Sequence, residues 1–527
     1  MYKITEGNFK EEKYGEESYL NNWPMLYLLD NEKQIYIGQS NHVKTRMKQH
    51  HSSKEKNIFN KVRFIYSNKF NQSVTLDYES KLIQYIAADE LMVVTNRNEG
   101  IADKEYYDKK HYDEDFYKLW NKLRREKIVK HSLEELENSD LFKFSPFKEL
   151  NDNQREAIDE ILAILDEGKE NAIVVNGMPG SGKTILAIYL LKYLKDSDEY
   201  GDLDIGFVVP PTSLRKTLKQ VFKSIYNLKP SDILSPSEIT KKKYDILIVD
   251  ETHRLHQYKN ISYMGAFKKS CERIGLSTEN DELDWILHQC DKAVIMYDRF
   301  QVVGPSGIDI ERFDKKMERE QQKRMVTYYS LLKQMRLLGG NDYIHYVEDI
   351  INVKAKEKKT FDNYEFAIIN DFAEFDELMY WKERENTLVR MVAGYAWPWN
   401  SKHKGASYDI ELDGVQKMWN HCTEGWVMSE GAIDEVGCIH SIQGYDLNYA
   451  FVILGEEIGF DKEKQEIIIR KEKYYDQNGK KSADYEDLLS YIKNIYYVLL
   501  TRGMKGTYLY VCDKDLKEYL SKYIEVI

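Results

Sequence analysis

Short, continuous apolar runs punctuate the chain beyond residue 170. They are Ala172-Ile173-Val174-Val175, Phe207-Val208-Val209, Ile246-Leu247-Ile248-Val249 and Ala293-Val294-Ile295-Met296-Tyr297. None alternates with polar residues, which is the pattern of strands covered on both faces in a parallel sheet. Helical spacing fills the intervals, as in Arg155–Leu165 and Ile185–Leu191, so the pattern predicts an α/β fold with parallel sheets. A second α/β region contains Arg390-Met391-Val392-Ala393 and ends with Tyr497-Val498-Leu499-Leu500.

The first hundred residues differ. Met25–Leu29 and Gln34–Gly38 flank the turn Asp30-Asn31-Glu32-Lys33, which predicts a hairpin. Ser40 or Asn41 can cap a helix through His42–His50, a second helix spans Leu76–Ala88, and a short apolar strand precedes Asn96. The predicted organisation is a small α+β domain over 1–100, a charged helical linker over 101–148, a first α/β lobe over 149–345 and a second lobe with insertions over 346–527. In the linker, Ser132 and Glu135 have capping-box spacing and Ser145-Pro146 breaks the pattern. Two stretches look inserted: 256–289, helical and polar, and 456–494, where Asn478-Gly479 is a hairpin-turn signal.

Composition narrows the class. No apolar run approaches the ~20 residues of a membrane span, and the N-terminal residues lack the apolar core of a signal peptide. The five cysteines are scattered without metal-ligand or disulfide spacing, so a soluble, cytoplasmic protein is expected. The net charge of −12 excludes a wholly basic nucleic-acid coat but leaves room for a local basic surface. One such stretch runs from Lys44 to Lys69, where Arg46, Lys48, Lys54, Lys56, Lys61 and Arg63 are offset by Glu55 alone.

The strongest chemical signal is Gly177-Met178-Pro179-Gly180-Ser181-Gly182-Lys183-Thr184, between an apolar strand and a helix. Glycines at 177, 180 and 182 let the backbone turn its N–H groups, with that of Ser181, toward a phosphate, and the helix adds its positive end. Lys183 suits the β- and γ-phosphates of ATP and Thr184 suits Mg2+. Asp250-Glu251 ends a buried strand, where two acids have no use as core. Asp250 can hold Mg2+ through water and Glu251 can polarise the attacking water. Gln154, ahead of an amphipathic helix, carries an amide that can both donate to and accept from an adenine edge.

In the first hundred residues, Arg46 and His50 are one helical turn apart. Glu79 can hold one divalent cation, Mg2+ or Mn2+, with water and phosphate oxygens completing the shell. Arg46 can stabilise charge on a phosphate, and Tyr27, Tyr36 and His50 can orient or deprotonate water. From Trp23 to Gly100 the pattern resembles the GIY-YIG nuclease family. Tyr27 matches the first half-motif, Tyr36-Ile37-Gly38 is the second half verbatim, Arg46 and His50 follow at the family's spacing, and Glu79 and Asn96 match its metal-binding glutamate and late asparagine. Met25 stands where the family usually has glycine, and the loop between the tyrosines is short.

From Leu150 to Asp513 the order of motifs resembles a superfamily 1 helicase, and more closely the Schlafen group 3-like DNA/RNA helicase domain. That resemblance implies two RecA-like lobes. It implies that Gln154 reads adenine, and that Lys183, Thr184, Asp250 and Glu251 form the ATPase centre with Gln301 as a γ-phosphate sensor. Arg336 and Arg502 would reach the γ-phosphate from the far lobe. His440, Ser441, Gln443 and Gly444 would couple strand contact to ATP, and Asp446 would stand near the ribose. Tyr297-Asp298 replaces the Gly-Asp of many relatives. The reading is an ATP-driven nucleic-acid motor joined to a metal-dependent endonuclease, acting on DNA in preference to RNA, with phage defence suggested by analogy of architecture. Two alternatives are an ATP-gated nuclease switch, acting on RNA, and a nucleic-acid-binding ATPase scaffold with an inactive nuclease. Sequence alone does not give the oligomeric state.

Overall fold

The computed structural model describes residues 2–11, 22–96, 106–137, 139–147, 150–167, 171–298, 301–331, 337–402, 408–423, 425–442, 445–480 and 483–527. The chain forms two compact units. One comprises Met1–Ala163, Thr184–Phe207 and Arg215–Leu234; the other comprises Ile164–Lys183, Val208–Leu214 and Ser235–Ile527.

In the first unit, β1 (Lys3–Asn8), β2 (Met25–Asp30), β3 (Gln34–Ser40), β4 (Lys61–Tyr66) and β5 (Val93–Val94) form a sheet in the order β1-β4-β2-β3-β5. The hairpin is present, with Tyr27 opposite Gly38 and Leu29 opposite Tyr36. Helix α1 (Val43–His51) follows β3. Its N-cap is His42, with no side-chain cap, while the Ser40 hydroxyl accepts the His42 N–H one step earlier. Neither Ser40 nor Asn41 therefore caps the helix as the sequence suggested. Helix α2 (Gln72–Asp89) is longer than the sequence pattern implied, because Asn71 caps it by accepting from the Val74 N–H.

Helix α3 (Lys109–Arg125) is part of this unit's core rather than a free spacer. Leu119, Trp120 and Leu123 are fully buried, and Phe116 and Trp120 meet Tyr78 and Tyr85 of α2 through their rings. The Ser132–Glu135 capping box is formed, each side chain accepting from the other's backbone N–H.

The region beyond residue 170 adds β6 (Asn171–Gly177), β7 (Ile205–Val208), β8 (Ile233–Leu234), β9 (Tyr244–Val249), β10 (Cys290–Tyr297) and β11 (Met325–Leu331). In the second unit β11, β6, β10 and β9 lie side by side and parallel. The apolar runs therefore do form strands buried on both faces.

A second sheet contains β12 (Glu365–Ile368), β13 (Val389–Ala393), β14 (Ile410–Leu412), β15 (Val415–Trp419), β16 (Glu435–Gly437), β17 (Leu447–Leu454), β20 (Gly503–Val511) and β21 (Glu525–Val526). Its order is β14-β15-β16-β13-β17-β20-β12-β21, parallel except for the β14–β15 pair. Alternate residues of β17 feed two cores. Val452 and Leu454 join Tyr343, Val347 and Ile492 on one side, and Phe451 and Ile453 join Phe372, Phe375 and Met379 on the other. Helices thus cover both faces, and the molecule is α/β with a small N-terminal α+β sheet.

Between β17 and β20 lies an antiparallel hairpin of β18 (Ile458–Asp461) and β19 (Glu466–Ile469). Its turn is not at Asn478-Gly479, which lies in the short helix Gln477–Lys480. The Asp461 carboxylate makes the turn instead, accepting from the Glu463 and Lys464 N–H groups, and Gln465 takes the left-handed conformation. Among the described residues no helix is long and apolar enough to cross a membrane.

Candidate nuclease and phosphate sites

The nuclease cluster is assembled by the hairpin and α1. Tyr27 is buried in β2, and a Cβ on Gly38 would overlap its ring, so glycine there is what lets the two half-motifs close on each other. Arg46 Nε donates to the Tyr27 oxygen at 3.4 Å, and the same oxygen lies 2.9 Å from His50 Nε2. The phenol can donate its own proton to His50 when the imidazole is the neutral tautomer that carries its proton on Nδ1.

The electrostatics agree. Burial, aided by the charges of Arg46 and Lys56, lowers the His50 pKa to about 3, and burial also raises that of Tyr27. The Tyr36 ring meets His50 edge-on at 5.3 Å and is covered by the Lys56 ammonium 3.3 Å from its centroid.

Glu79 reaches the same region from α2 and accepts the Gln39 N–H at 3.1 Å. Burial raises its pKa to about 7. A buried carboxylate that resists ionisation beside few charges suits one divalent cation, which would restore its charged form. Among the described residues there is no cluster of three or more His, Cys, Asp or Glu side chains arranged for a metal. A cation held by Glu79 alone would need water and substrate oxygens for the rest of its shell.

Asn96 is placed differently from the other members. Its Oδ1 accepts the Ile37 N–H at 3.0 Å and its Nδ2 donates to the Ile37 carbonyl at 2.8 Å. Both polar ends clamp the Tyr36-Ile37-Gly38 strand, so the residue positions the motif.

At the phosphate loop, Gly180 and Gly182 have φ of +80° and +81°, and a Cβ on Gly177 would overlap Ser181 Oγ. These are the conformations and close approaches that only glycine accepts without strain. Lys183 and Thr184 open the helix Lys183–Asp196. The Lys183 ammonium donates to the Gly177 and Met178 carbonyls and to Asp298 Oδ2, the last at 3.1 Å. Gln301 Nε2 donates to the same Asp298 oxygen at 2.7 Å, and Arg502 Nη2 lies 3.5 Å from Gln301 Oε1. Lysine, aspartate, glutamine and arginine thus form one chain of contacts. Arg502 Nη1 also reaches the Tyr445 carbonyl at 3.4 Å, next to Asp446.

Asp250 follows β9 and is buried. Glu251 has φ of +50°, and its Oε2 lies 3.0 Å from His253 Nε2 and 3.3 Å from Arg254 Nε. Burial opposes its ionisation, yet the neighbouring His253, Arg254 and Lys183 charges hold its carboxyl well below the usual carboxylate range. Gln154 is buried in the first unit, and its Oε1 accepts the Asn151 N–H at 3.1 Å while Asn151 Oδ1 accepts its own N–H in return. Three expected site residues, Arg336, Gln443 and Gly444, lie outside the described residues.

A cleft of about 610 Å3 opens in the second unit beside this network. Pro210, Pro211, Gln301 and His440 line it, with Trp397, Trp399, Tyr263 and Tyr475 supplying aromatic walls. Trp397 and Trp399 are half-buried, flanking the fully buried Trp419, and Lys402 stacks on Trp399 at 4.5 Å. Sequence reasoning did not single out Lys56, Arg254 or the Asp298–Lys183 pair. Asp298 carried a usable signal, an acid ending a buried strand, whereas Lys56 sits in a short 3-10 turn, Lys54–Ile58, with no periodic pattern.

The family model described as Schlafen group 3, DNA/RNA helicase domain matches residues 170–513, and that of the GIY-YIG catalytic domain matches residues 24–88. A Saccharomyces cerevisiae protein named Uncharacterized protein YPL245W is 28% identical over 392 residues, covering 66% of this chain and 83% of its own. Among solved structures, unliganded Pif1 from Bacteroides sp is 15% identical, with TM-score 0.24, covering 44% of this chain and 55% of that one, about half its length. Bacteroides Pif1 bound to ssDNA is 11% identical, with TM-score 0.26, covering 69% and 92%. With its phosphate loop, paired acids and parallel sheets in place, this chain belongs to the Schlafen group 3 DNA/RNA helicase domain family and carries a GIY-YIG catalytic domain ahead of that region.

Proposed function

We propose that the protein is an ATP-dependent nucleic-acid motor coupled to a divalent-metal-dependent endonuclease, with DNA as substrate. The observation that carries this reading is the contact chain Lys183–Asp298–Gln301–Arg502 along the edge of an aromatic cleft. A γ-phosphate arriving at Lys183 competes with Asp298 for the ammonium. Asp298 then loses Lys183 while keeping Gln301, and Arg502, the next contact along the chain of contacts, can turn toward the same phosphate. Each change lies next to groups that line the cleft, so the nucleotide state is transmitted to whatever strand the cleft holds. Aromatic walls suit unpaired bases, which offer their faces for stacking.

Mg2+, when bound, supplies charge neutralisation at the phosphates; Asp250 and Thr184 are the residues that would hold it. Glu251 would orient the attacking water. At the nuclease cluster, the linked Tyr27 and His50 would orient the attacking water, and Arg46 would face the charge that develops on the phosphate. Glu79 would hold the cation there.

The test is ATP turnover with single-stranded DNA, duplex DNA and RNA, with strand breaks followed in the same tubes. Turnover raised by DNA, with Mg2+-dependent breaks, is the expected result. Turnover that no polynucleotide raises, together with no breaks, would overturn the reading.

A further inference from the structure

We propose that Arg254 is a positioning residue that keeps Glu251 latched until a strand phosphate enters the cleft, so that strand contact frees the group that orients the attacking water. The inference rests on the motor reading above and assigns the regulation of that site.

Three observations carry it. Glu251 is constrained: it is a non-glycine residue in the left-handed region, and its carboxylate is held between His253 and Arg254. Arg254 faces two ways. It touches Glu251 and also lines the cleft, with its side chain 20% exposed. Its Nε and Nη2 are both buried with no hydrogen-bond partner among the described residues, so the 3.3 Å approach to Glu251 is an ion-pair contact without a hydrogen bond.

A buried donor without an acceptor is costly, and a guanidinium binds a phosphate through two parallel N–H groups. A phosphate in the cleft therefore gives Arg254 a better partner than its single approach to Glu251. The exchange leaves the carboxylate with His253 alone. Because the two states differ in which anion Arg254 holds, the strand shifts their balance by the difference between those contacts.

The test compares Arg254→Gln and Arg254→Lys with the wild-type chain, measuring ATP turnover with and without a short oligothymidylate and confirming folding by thermal melting. Arg254→Gln should raise strand-free turnover by at least about fivefold, the low end of coupling between two sites. It should also bring the stimulation ratio toward one while leaving KM for ATP nearly unchanged. Arg254→Lys, which keeps a charge opposite Glu251, should restore the low strand-free rate. Independently of turnover, hydrogen exchange of the 250–256 backbone in the wild-type protein should change when oligothymidylate is added without ATP. An unchanged strand-free rate in folded Arg254→Gln, or unchanged exchange in the wild type, overturns the latch. A wild-type protein whose turnover no polynucleotide raises removes the motor reading itself, and the latch with it.

Discussion

The nuclease cluster draws its side chains from one stretch, Tyr27 to Asn96, whereas the phosphate site gathers residues from Gly177 to Arg502. In the first, most polar ends already answer one another. Tyr27 bonds His50 and Arg46, Asn96 clamps Ile37, and two of the groups, His50 and Glu79, are held toward their neutral forms by burial. In the second, the contacts are between charges that a nucleotide or strand can take over: Lys183 with Asp298, Glu251 with Arg254. A locally built, largely neutral cluster is preorganised and has little to gain by rearranging. A distributed, charged network has two sets of partners and so can be switched. The contrast sets a cluster whose polar ends are already answered against a network whose partners a ligand could exchange.

The sharpest way to break the comparison is to remove one residue from each site. Lys183→Ala should lower ATP turnover, and Glu79→Gln should lower strand cleavage, each by about 100-fold or more, the scale of losing a charged group in a catalytic centre. Glu79→Gln should leave ATP turnover intact, and parallel assays of both activities check this. Loss of ATP turnover in Glu79→Gln would show that the two sites are not independently built.

A smaller effect tests preorganisation. Gly38→Ala drives a methyl into the Tyr27 ring, and overpacking of this kind costs about 1–3 kcal/mol. Thermal melting should show that loss, and cleavage should fall with the displaced phenol while ATP turnover stays constant. Full cleavage by Gly38→Ala would mean that the tyrosine's placement is not what the site depends on.

The smallest effect concerns the second sheet. Glu457 is fully buried, Tyr496 donates to its Oε1, and burial raises its pKa from 4.5 to about 7. A carboxyl whose folded pKa is raised contributes stability that is complete below about 4.5 and is lost as pH rises through 7. Glu457→Gln cannot ionise, so its melting temperature should fall less between pH 4.5 and 8 than that of the wild type. Identical pH profiles would show that Glu457 ionises freely in the folded protein.

Much of both sites is legible in the sequence, because the chemistry of a phosphate loop and of the Tyr36-Ile37-Gly38 motif is carried by consecutive residues whose backbone does the work. Parallel strands were legible for a related reason: burial on both faces leaves no room for polar alternation. The Asn478-Gly479 signal failed because a turn dipeptide reports local backbone preference, and here the Asp461 carboxylate makes the turn elsewhere. Helix α3 falls in the stretch read as a charged helical linker because its charged residues outnumber its apolar ones, and one face, with Phe116, Leu119, Trp120 and Leu123, is enough to bury it.

What the amino-acid order alone determined is the inventory: a phosphate-cradling turn, two acids ending a buried strand, a tyrosine hairpin with arginine and histidine on the next helix. These are properties of short segments, set by spacing and backbone permissiveness. Tertiary structure alone decided the partnerships: Lys183 with Asp298, Gln301 with Arg502, Lys56 over Tyr36, Arg254 between Glu251 and the cleft. Those pairs join side chains from different strands and turns. Their distances depend on how sheets stack and loops end, which no local pattern encodes.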